Sequence, residues 1–366
     1  MRLFQCDDCG ELVYFENNTC LNCQQQLAFD PGALTMTTII PVDEGPNLWR
    51  SVESSCSERY RRCENDLQHN VCNWLVPAES DQTLCPACQF TEMIPDLTDA
   101  ANLAHWSKLE TAKRRLLYTL MSLGLPTTSK SFDPQTGLSF HFLADDPQTN
   151  KKVLTGHADG LITLNIAEAD DAEREQRRVA MGEPYRTLLG HFRHEVGHYY
   201  WDLLVRDTLN LHEFRQLFGD ETADYGVALQ NHYSSGPPAD WQQYYVSAYA
   251  SSHPWEDWAE TWAHYLHMVD ALEMASSSQI TVPRLENRAE RTRIVFSPGS
   301  AGEISMDEMI NDWLSLAHML NCANRCLGQA DSYPFVVSQS VMEKLKLIHE
   351  LVLRSADETP ASPLPN

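Results

Sequence analysis

The sequence predicts an α+β fold, mostly helical with a small mixed sheet, preceded by small cysteine-rich modules. Three observations predict it. Nine of the eleven cysteines fall before residue 90, in a region without long periodic segments. Beyond that region, apolar residues recur at helical spacing over several long stretches. Only two short segments between those stretches alternate as strands do.

At 366 residues the chain can bury a sizeable core and has room for two or three domains. Hydrophobic content of 43% and charged content of 21% are those of a globular protein and exclude wholesale disorder. The net charge of -24 repels polyanions and anionic membranes, which argues against nucleic acid or a membrane as partner. The opening stretch MRLFQCDDCG has no apolar signal core, and no apolar run approaches membrane-spanning length. A reducing compartment, the cytoplasm, is therefore expected. There, paired cysteines are read as metal ligands rather than disulfides.

Residues 1–95 form the cysteine-rich region. Cys6, Cys9, Cys20 and Cys23 read as two CxxC pairs, able to bring four thiolates into a tetrahedron. Zinc suits this soft, closed site and leaves no position for water, so its role is to staple a segment too small to build its own core. An iron centre or a redox dithiol is the alternative. A second set, Cys63, Cys72, Cys85 and Cys88, has a tight closing CPAC pair and a widely spaced first pair, and Cys56 competes with Cys63 for membership. The region carries five basic residues against fourteen acidic ones, the reverse of a phosphate-contacting surface. It is expected to dock on the rest of the chain or on a protein partner.

Residues 96–354 make up the main domain. Pro95, Asp96 and the TDAAN stretch lead into a helix over 103–123, whose apolar stripe is Trp106, Leu109, Leu116, Leu117, Leu120 and Leu123. Gly124 and Pro126 end it. GLSFHFLA (137–144) and GLITLNIA (160–167) alternate as strands, with TGHADG and His157 as a turn between them. After the polar segment EADDAEREQRR come helices over about 185–205, 211–232, 254–275, 305–327 and 338–353. Cys322 and Cys326, a helical turn apart, read as buried small apolar side chains. Residues 355–366 are expected to be a disordered tail.

The chemistry is concentrated in YRTLLGHFRHEVGHYYWDLL, which contains H-E-x-x-H at 194–198. On a helix, His194 and His198 lie one turn apart and can reach one ion, with Glu195 beside them. Zinc there lowers the pKa of a water and polarises a carbonyl, and Glu195 is placed to act as general base. Two histidines packed on an ordinary helix would leave the acidic residue between them unexplained. A catalytic site needs a third ligand and an open fourth position. A third histidine six residues after the second would stand at 204, where the chain has Leu204, so a distant carboxylate is required.

Two segments offer one: Asp220/Glu221 in FGDETADYG, and HPWEDWAETWAHYLHMVD with Glu256 and Glu260 four apart on one face. The second is preferred. Two carboxylates among Trp255, Trp258, Ala259 and Trp262 would be costly to bury without a cation. Glu256 is assigned to the metal and Glu260 to a ligand histidine. His191 is read as a flanking residue. Asp220, Glu221 and Asp224 either orient a ligand histidine or cap a helix.

The chain resembles the bacterial family of zinc-binding metallopeptidases with an N-terminal zinc-ribbon region. The resemblance is carried by CNWLVP, LETAKRRLLYTL, LTGHADGLITLNIAEADDAERE, GEPYRTLLGHFRHEVGHYYWDLL, FGDETADYG and YASSHPWEDWAETWAHYLHMVD. It implies a zincin-like metalloprotease domain with glutamate as third ligand. Some glutamate-ligand zincins, toxin-type and proline-directed peptidases among them, place an oxyanion-stabilising tyrosine seven residues before that glutamate. Tyr249 occupies that position here, and His253 is a second candidate proton donor. The resemblance also makes GLITLNIAEAD the edge strand that pairs with an extended peptide. Three zinc ions are thus expected, one catalytic and two structural, with a peptide or protein as substrate. The competing readings are a zinc-stabilised binding or scaffold protein with a non-catalytic site, and a metalloamidase acting on a non-peptide substrate.

Overall fold

The computed structural model describes residues 2–43, 45–52, 58–145, 152–284 and 289–358. Cys56 lies outside the described residues. The N-terminal region begins with β1 (Phe4–Gln5) and β2 (Leu12–Val13), an antiparallel pair holding the first CxxC turn between them. It continues as an antiparallel meander of β3 (Gln26–Asp30), β4 (Thr35–Pro41), β5 (Trp49–Ser51), β6 (Tyr60–Arg62) and β7 (Leu75–Pro77). The short helix α1 (Glu64–His69) is inserted between β6 and β7. This five-stranded sheet has no counterpart in the sequence reading. Its strands are short, and several lack clean alternation.

The boundary expected at 95 falls just after β8 (Thr91–Met93), a strand that belongs to the next sheet. Helix α2 (Ala100–Ser122) follows, its N-terminus capped by Asp99, which accepts from Ala101 N. It buries Trp106, Leu109, Leu116, Leu117 and Leu120, none more than 1% exposed. Each such side chain contributes about 1.5–3 kcal/mol relative to exposure. Then come β9 (Ser139–Leu143), β10 (Gly156–Ala158) and β11 (Leu161–Asn165), giving a mixed sheet in the order β10-β11-β9-β8. β8, β9 and β11 run parallel, and β10 is antiparallel to β11. The segment expected at the edge, β11, is therefore internal, and β10 takes its place. His157 lies in β10 rather than in the turn. The turn itself is Asp159–Gly160, where a Cβ on Gly160 would meet Gly137 O at 2.3 Å.

The polar segment after β11 is helical, α3 (Asp171–Met181). It has no apolar stripe to bury. Asp170 caps it by accepting from Ala172 N and Glu173 N, and Arg177 and Arg178 pair along its surface. Next is α4 (Leu188–Leu204), capped by Thr187. The helix expected over 211–232 is interrupted and becomes α5 (Leu211–Phe218) and α6 (Tyr225–Ser235). Gly219, at φ 102°, ends the first, and Asp224 caps the second by accepting from Val227 N.

Helix α7 (Pro254–Ser277) is the axis of the domain, packed against α4, α5, α2 and two later helices. After the hairpin of β12 (Thr281–Pro283) and β13 (Arg291–Arg293), these are α8 (Met306–Cys326) and α9 (Gln339–Glu358). Helix α9 runs past the boundary expected at 354, and the remaining tail, 359–366, lies outside the described residues. Cys322 and Cys326 are exposed, not buried, because they sit on the outer face of α8's last turns. One continuous core runs from Phe4 and Phe15 through Tyr118 to α7 and α9. Among the described residues no helix is long and apolar enough to cross a membrane.

Candidate metal centre

Among the described residues the structure gathers three groups of potential ligands. In each, one ligand atom per residue lies within 4.8 Å of all the others. The first is Cys6, Cys9, Cys20 and Cys23. Gly10 N donates to Cys6 O (2.8 Å) and Gln24 N to Cys20 O (2.9 Å), tight turns that aim each sulfur pair inward. Cys6 Sγ stands 3.6 Å from Cys23 Sγ, and Cys9 Sγ 3.6 Å from Cys20 Sγ. The second is Cys63, Cys72, Cys85 and Cys88, all buried. Cys72 Sγ is 3.6 Å from Cys85 Sγ, and Cys85 N donates to Cys63 Sγ at 3.3 Å.

Beside this second cluster lies Arg114 of α2, itself only 5% exposed, donating to Val71 O at 2.5 Å. Burial opposes its charge. The nearby Cys72, Glu110, Cys88 and Cys85 outweigh that effect and raise its pKa. Glu110 is itself engaged by Lys113 at 2.9 Å.

The third group, His194, His198 and Glu256, joins α4 to α7. His194 and His198 lie one turn apart, with ring centroids 4.9 Å apart. Gly197 between them lets α4 approach α7 closely, and its carbonyl accepts from Trp258 Nε1 at 2.8 Å. Glu256 sits in the first turn of α7, after Pro254 and the N-cap His253. His194 Nε2 is 3.1 Å from Glu256 Oε2, and His198 Nε2 is 3.6 Å from Glu256 Oε1. The other nitrogen of His194, Nδ1, is 2.7 Å from Glu260 Oε1, whose second oxygen accepts from Ser247 Oγ at 2.6 Å.

Charge follows this arrangement. Glu256 is held well below the usual carboxylate range: burial works against ionisation, and the adjacent imidazoles of His194 and His198 outweigh it. Glu260 is likewise drawn down to about 2, burial being outweighed by His194 and Ser247. Glu195 behaves differently. Burial raises its pKa, only partly offset by His194 and His198. Among the described residues nothing hydrogen-bonds its carboxylate.

Tyr249 stands in the turn before α7, its ring 6.0 Å from that of His194. Burial and the charge of Glu256 keep its phenol protonated. Two neighbours had no sequence signal of their own. Tyr225, at the start of α6, donates to Glu256 Oε1 at 2.8 Å. Trp255 lies against His198, with ring centroids 3.8 Å apart and the planes tilted by 37°. His157 is 6.3 Å from His198 in a stacked arrangement and accepts from Gly160 N.

The remaining candidates have other duties. Asp220 accepts from Thr222, Glu221 pairs with Arg215 at 2.5 Å and Asp224 caps α6, so none of them orients a ligand histidine. His191 lies 3.5 Å from Glu168. His253 is committed at both nitrogens, to Ala223 O and to Trp255 N, which removes it as a proton donor.

Paired histidines on one helix, a facing glutamate on another, and two closed cysteine clusters define a metal-binding protein with one site unlike the other two. A family model described as "Putative zinc-binding metallo-peptidase" matches residues 102–351, and a zinc-ribbon domain model matches residues 3–99. Uncharacterized proteins of Mycobacterium tuberculosis and Mycobacterium bovis are each 42% identical over 353 residues, covering 96% of this chain and 95% of the relative. The chain belongs to this zinc-binding metallopeptidase family. No solved structure matches it.

Proposed function

We propose that the chain is a zinc-dependent metallopeptidase with a zincin-like domain of the glutamate-ligand type. His194, His198 and Glu256 hold the catalytic ion, and the two cysteine sets hold structural ones. The observation that carries the reading is a misfit removed by a cation. Glu256 Oε2 is buried without a hydrogen-bond partner, yet lies 3.1 Å from His194 Nε2, with His198 Nε2 3.6 Å from the other oxygen. Two imidazoles and a carboxylate form a donor set suited to zinc. When bound, zinc supplies Lewis acidity toward a carbonyl and lowers the pKa of a water.

The protein's own groups do the rest. Glu260 accepts from His194 Nδ1, fixing the tautomer that leaves Nε2 free, and Ser247 holds Glu260 in turn. Glu195, buried and unpaired, takes a proton from the attacking water at its carboxylate and passes it to the nitrogen of the broken peptide bond, which leaves as the amine. Tyr249, kept neutral by its surroundings, donates its O–H toward developing negative charge on the substrate oxygen. β10 has an outer edge with no strand partner among the described residues and lies beside α4, where an extended peptide can add a strand.

The test is metal analysis combined with mass-spectrometric scoring of cleavage in a proteome-derived peptide library. Wild type should carry about three zinc ions and cleave peptides. Glu195→Gln should keep the ions and lose cleavage, and His198→Ala should lose one ion. A fully loaded wild type that cleaves nothing, or a Glu195→Gln protein that cleaves equally well, refutes the assignment.

A further inference from the structure

Helix α6 is the least embedded helix near the site: none of its residues is buried. It runs between Gly219 and Gly236, both at positive φ. Yet its first residue reaches the centre of the site. Tyr225 is 39% exposed, while the carboxylate it donates to, Glu256, is 1% exposed. The phenol ring is set by edge-on contacts with His253 (5.3 Å) and Trp255 (5.8 Å). Asp224, accepting from Val227 N at 2.9 Å, fixes where α6 begins and hence where Tyr225 stands.

A carboxylate beside a metal can offer one oxygen or both. The two oxygens of Glu256 have unequal surroundings. Oε1 accepts the Tyr225 hydroxyl at 2.8 Å and lies 3.6 Å from His198 Nε2, whereas Oε2 is buried, has no hydrogen-bond partner and lies 3.1 Å from His194 Nε2. We infer that Tyr225 is a positioning residue for the metal, its O–H occupying one oxygen of Glu256 so that the carboxylate presents a single ligand atom, Oε2. With one nitrogen from each histidine, the protein then fills three positions, and a fourth stays open for water or substrate. The same bond ties an otherwise exposed helix to a metal ligand. This inference rests on the hydrolase reading and deepens it.

The substitution Tyr225→Phe keeps the ring contacts and removes only the O–H. Zinc affinity of the exchangeable site is measured in the full-length protein by competition with a chromophoric chelator. The visible spectrum is recorded with Co2+ in place of that ion. Tyr225→Phe should bind zinc about 10–100-fold more weakly. Its cobalt absorption should be weaker and shifted, as Glu256 turns to offer both oxygens, while the metal-free proteins melt alike. Zinc affinity within about two-fold of wild type and an unchanged cobalt spectrum overturn the inference. So does a metal-free melt that falls in step with affinity, which makes the loss a folding defect. The variant His198→Ala separates the two levels. If it loses the exchangeable ion, the site stands whatever Tyr225→Phe does; if it retains the wild-type metal count, the underlying reading fails and the inference fails with it.

Discussion

Gly197 is the residue on which the junction of α4 and α7 turns, and replacing it with alanine opposes two effects of known size. Alanine is favoured over glycine in a helix interior by about 1 kcal/mol. Against this, an added Cβ would stand 3.0 Å from Ala259 Cα, 3.2 Å from Ala259 O and 3.2 Å from Trp262 Cβ. Carbon pairs prefer about 3.5–4.0 Å, so about half an ångström must be recovered. The obstructing atoms are backbone or next to it, on residues with no exposed surface, and cannot swing aside. Overpacking of this kind costs about 1–3 kcal/mol, leaving a net loss of up to about 2 kcal/mol. The thermal midpoint should fall by up to about 8 °C, at about 2–4 °C per kcal/mol for a domain of this size. The same displacement separates Glu256 and Glu260 from the histidines, so zinc affinity at that site should fall as well. Calorimetry of the metal-free protein and chelator competition measure the two effects separately. A Gly197→Ala protein that melts at or above wild type with unchanged zinc affinity refutes the reasoning.

Three further outcomes are expected. Glu260→Gln removes the carboxylate that receives His194 Nδ1, and zinc affinity should drop about 10–100-fold with the cysteine-bound ions unaffected; an unchanged affinity in chelator competition counts against Glu260's role. Arg114→Met removes the buried cation facing Cys72, Cys85 and Cys88, so that cluster should surrender its metal to a chelator at lower concentration than wild type, as a time-resolved metal count would show. His264 and His267 are depressed by burial to about 4 and about 3. Between those values and the free-histidine value the unfolded chain takes up protons that the fold refuses. Their contribution is therefore complete above pH ~6.5 and lost as pH falls, at about 1.4 kcal/mol per pH unit for each. Denaturant titrations between pH 7 and 4 should show a shallower acid loss in the double variant His264→Gln/His267→Gln than in wild type.

Legibility in the sequence depended on how local each signal is. His194, Glu195 and His198 are defined by spacing along one helix, and the same holds for Glu256 and Glu260 on α7. Leu204 denies a third histidine six residues after the second and so requires a distant carboxylate. The choice of Glu256 and Glu260 over Asp220/Glu221 comes from the cost of burying two carboxylates among tryptophans without a cation. Tyr225 was invisible because its reach depends on the chain breaking at Gly219 and returning. The apolar pattern across 211–232 is continuous enough to read as one helix, and a single backbone conformation overrides it. Helix α3 was missed for the opposite reason: it forms through a cap and arginine–glutamate pairs, which leave no apolar period. For Cys322 and Cys326, spacing gives a shared face but cannot say whether another element covers it. The place of β11 within its sheet is likewise set by partners distant in sequence, not by its own alternation.

The position of the zinc-ribbon region follows from where its contacts fall. Arg115 of α2 pairs with Glu16 at 2.6 Å, Tyr118 packs against Phe4 and Phe15, and Leu3 N donates to Ser277 Oγ at 3.1 Å. Ser277 is the last residue of α7, while Glu256 lies in its first turn. At 1.5 Å per residue, that contact and the third ligand are about 30 Å apart along the helix. Between them, Asp270 receives both Thr119 of α2 and Arg193 of α4, and Tyr118 donates to Glu273. Helix α7 is thus clamped at one end by α2 and the ribbon, and at the other it presents carboxylates to α4.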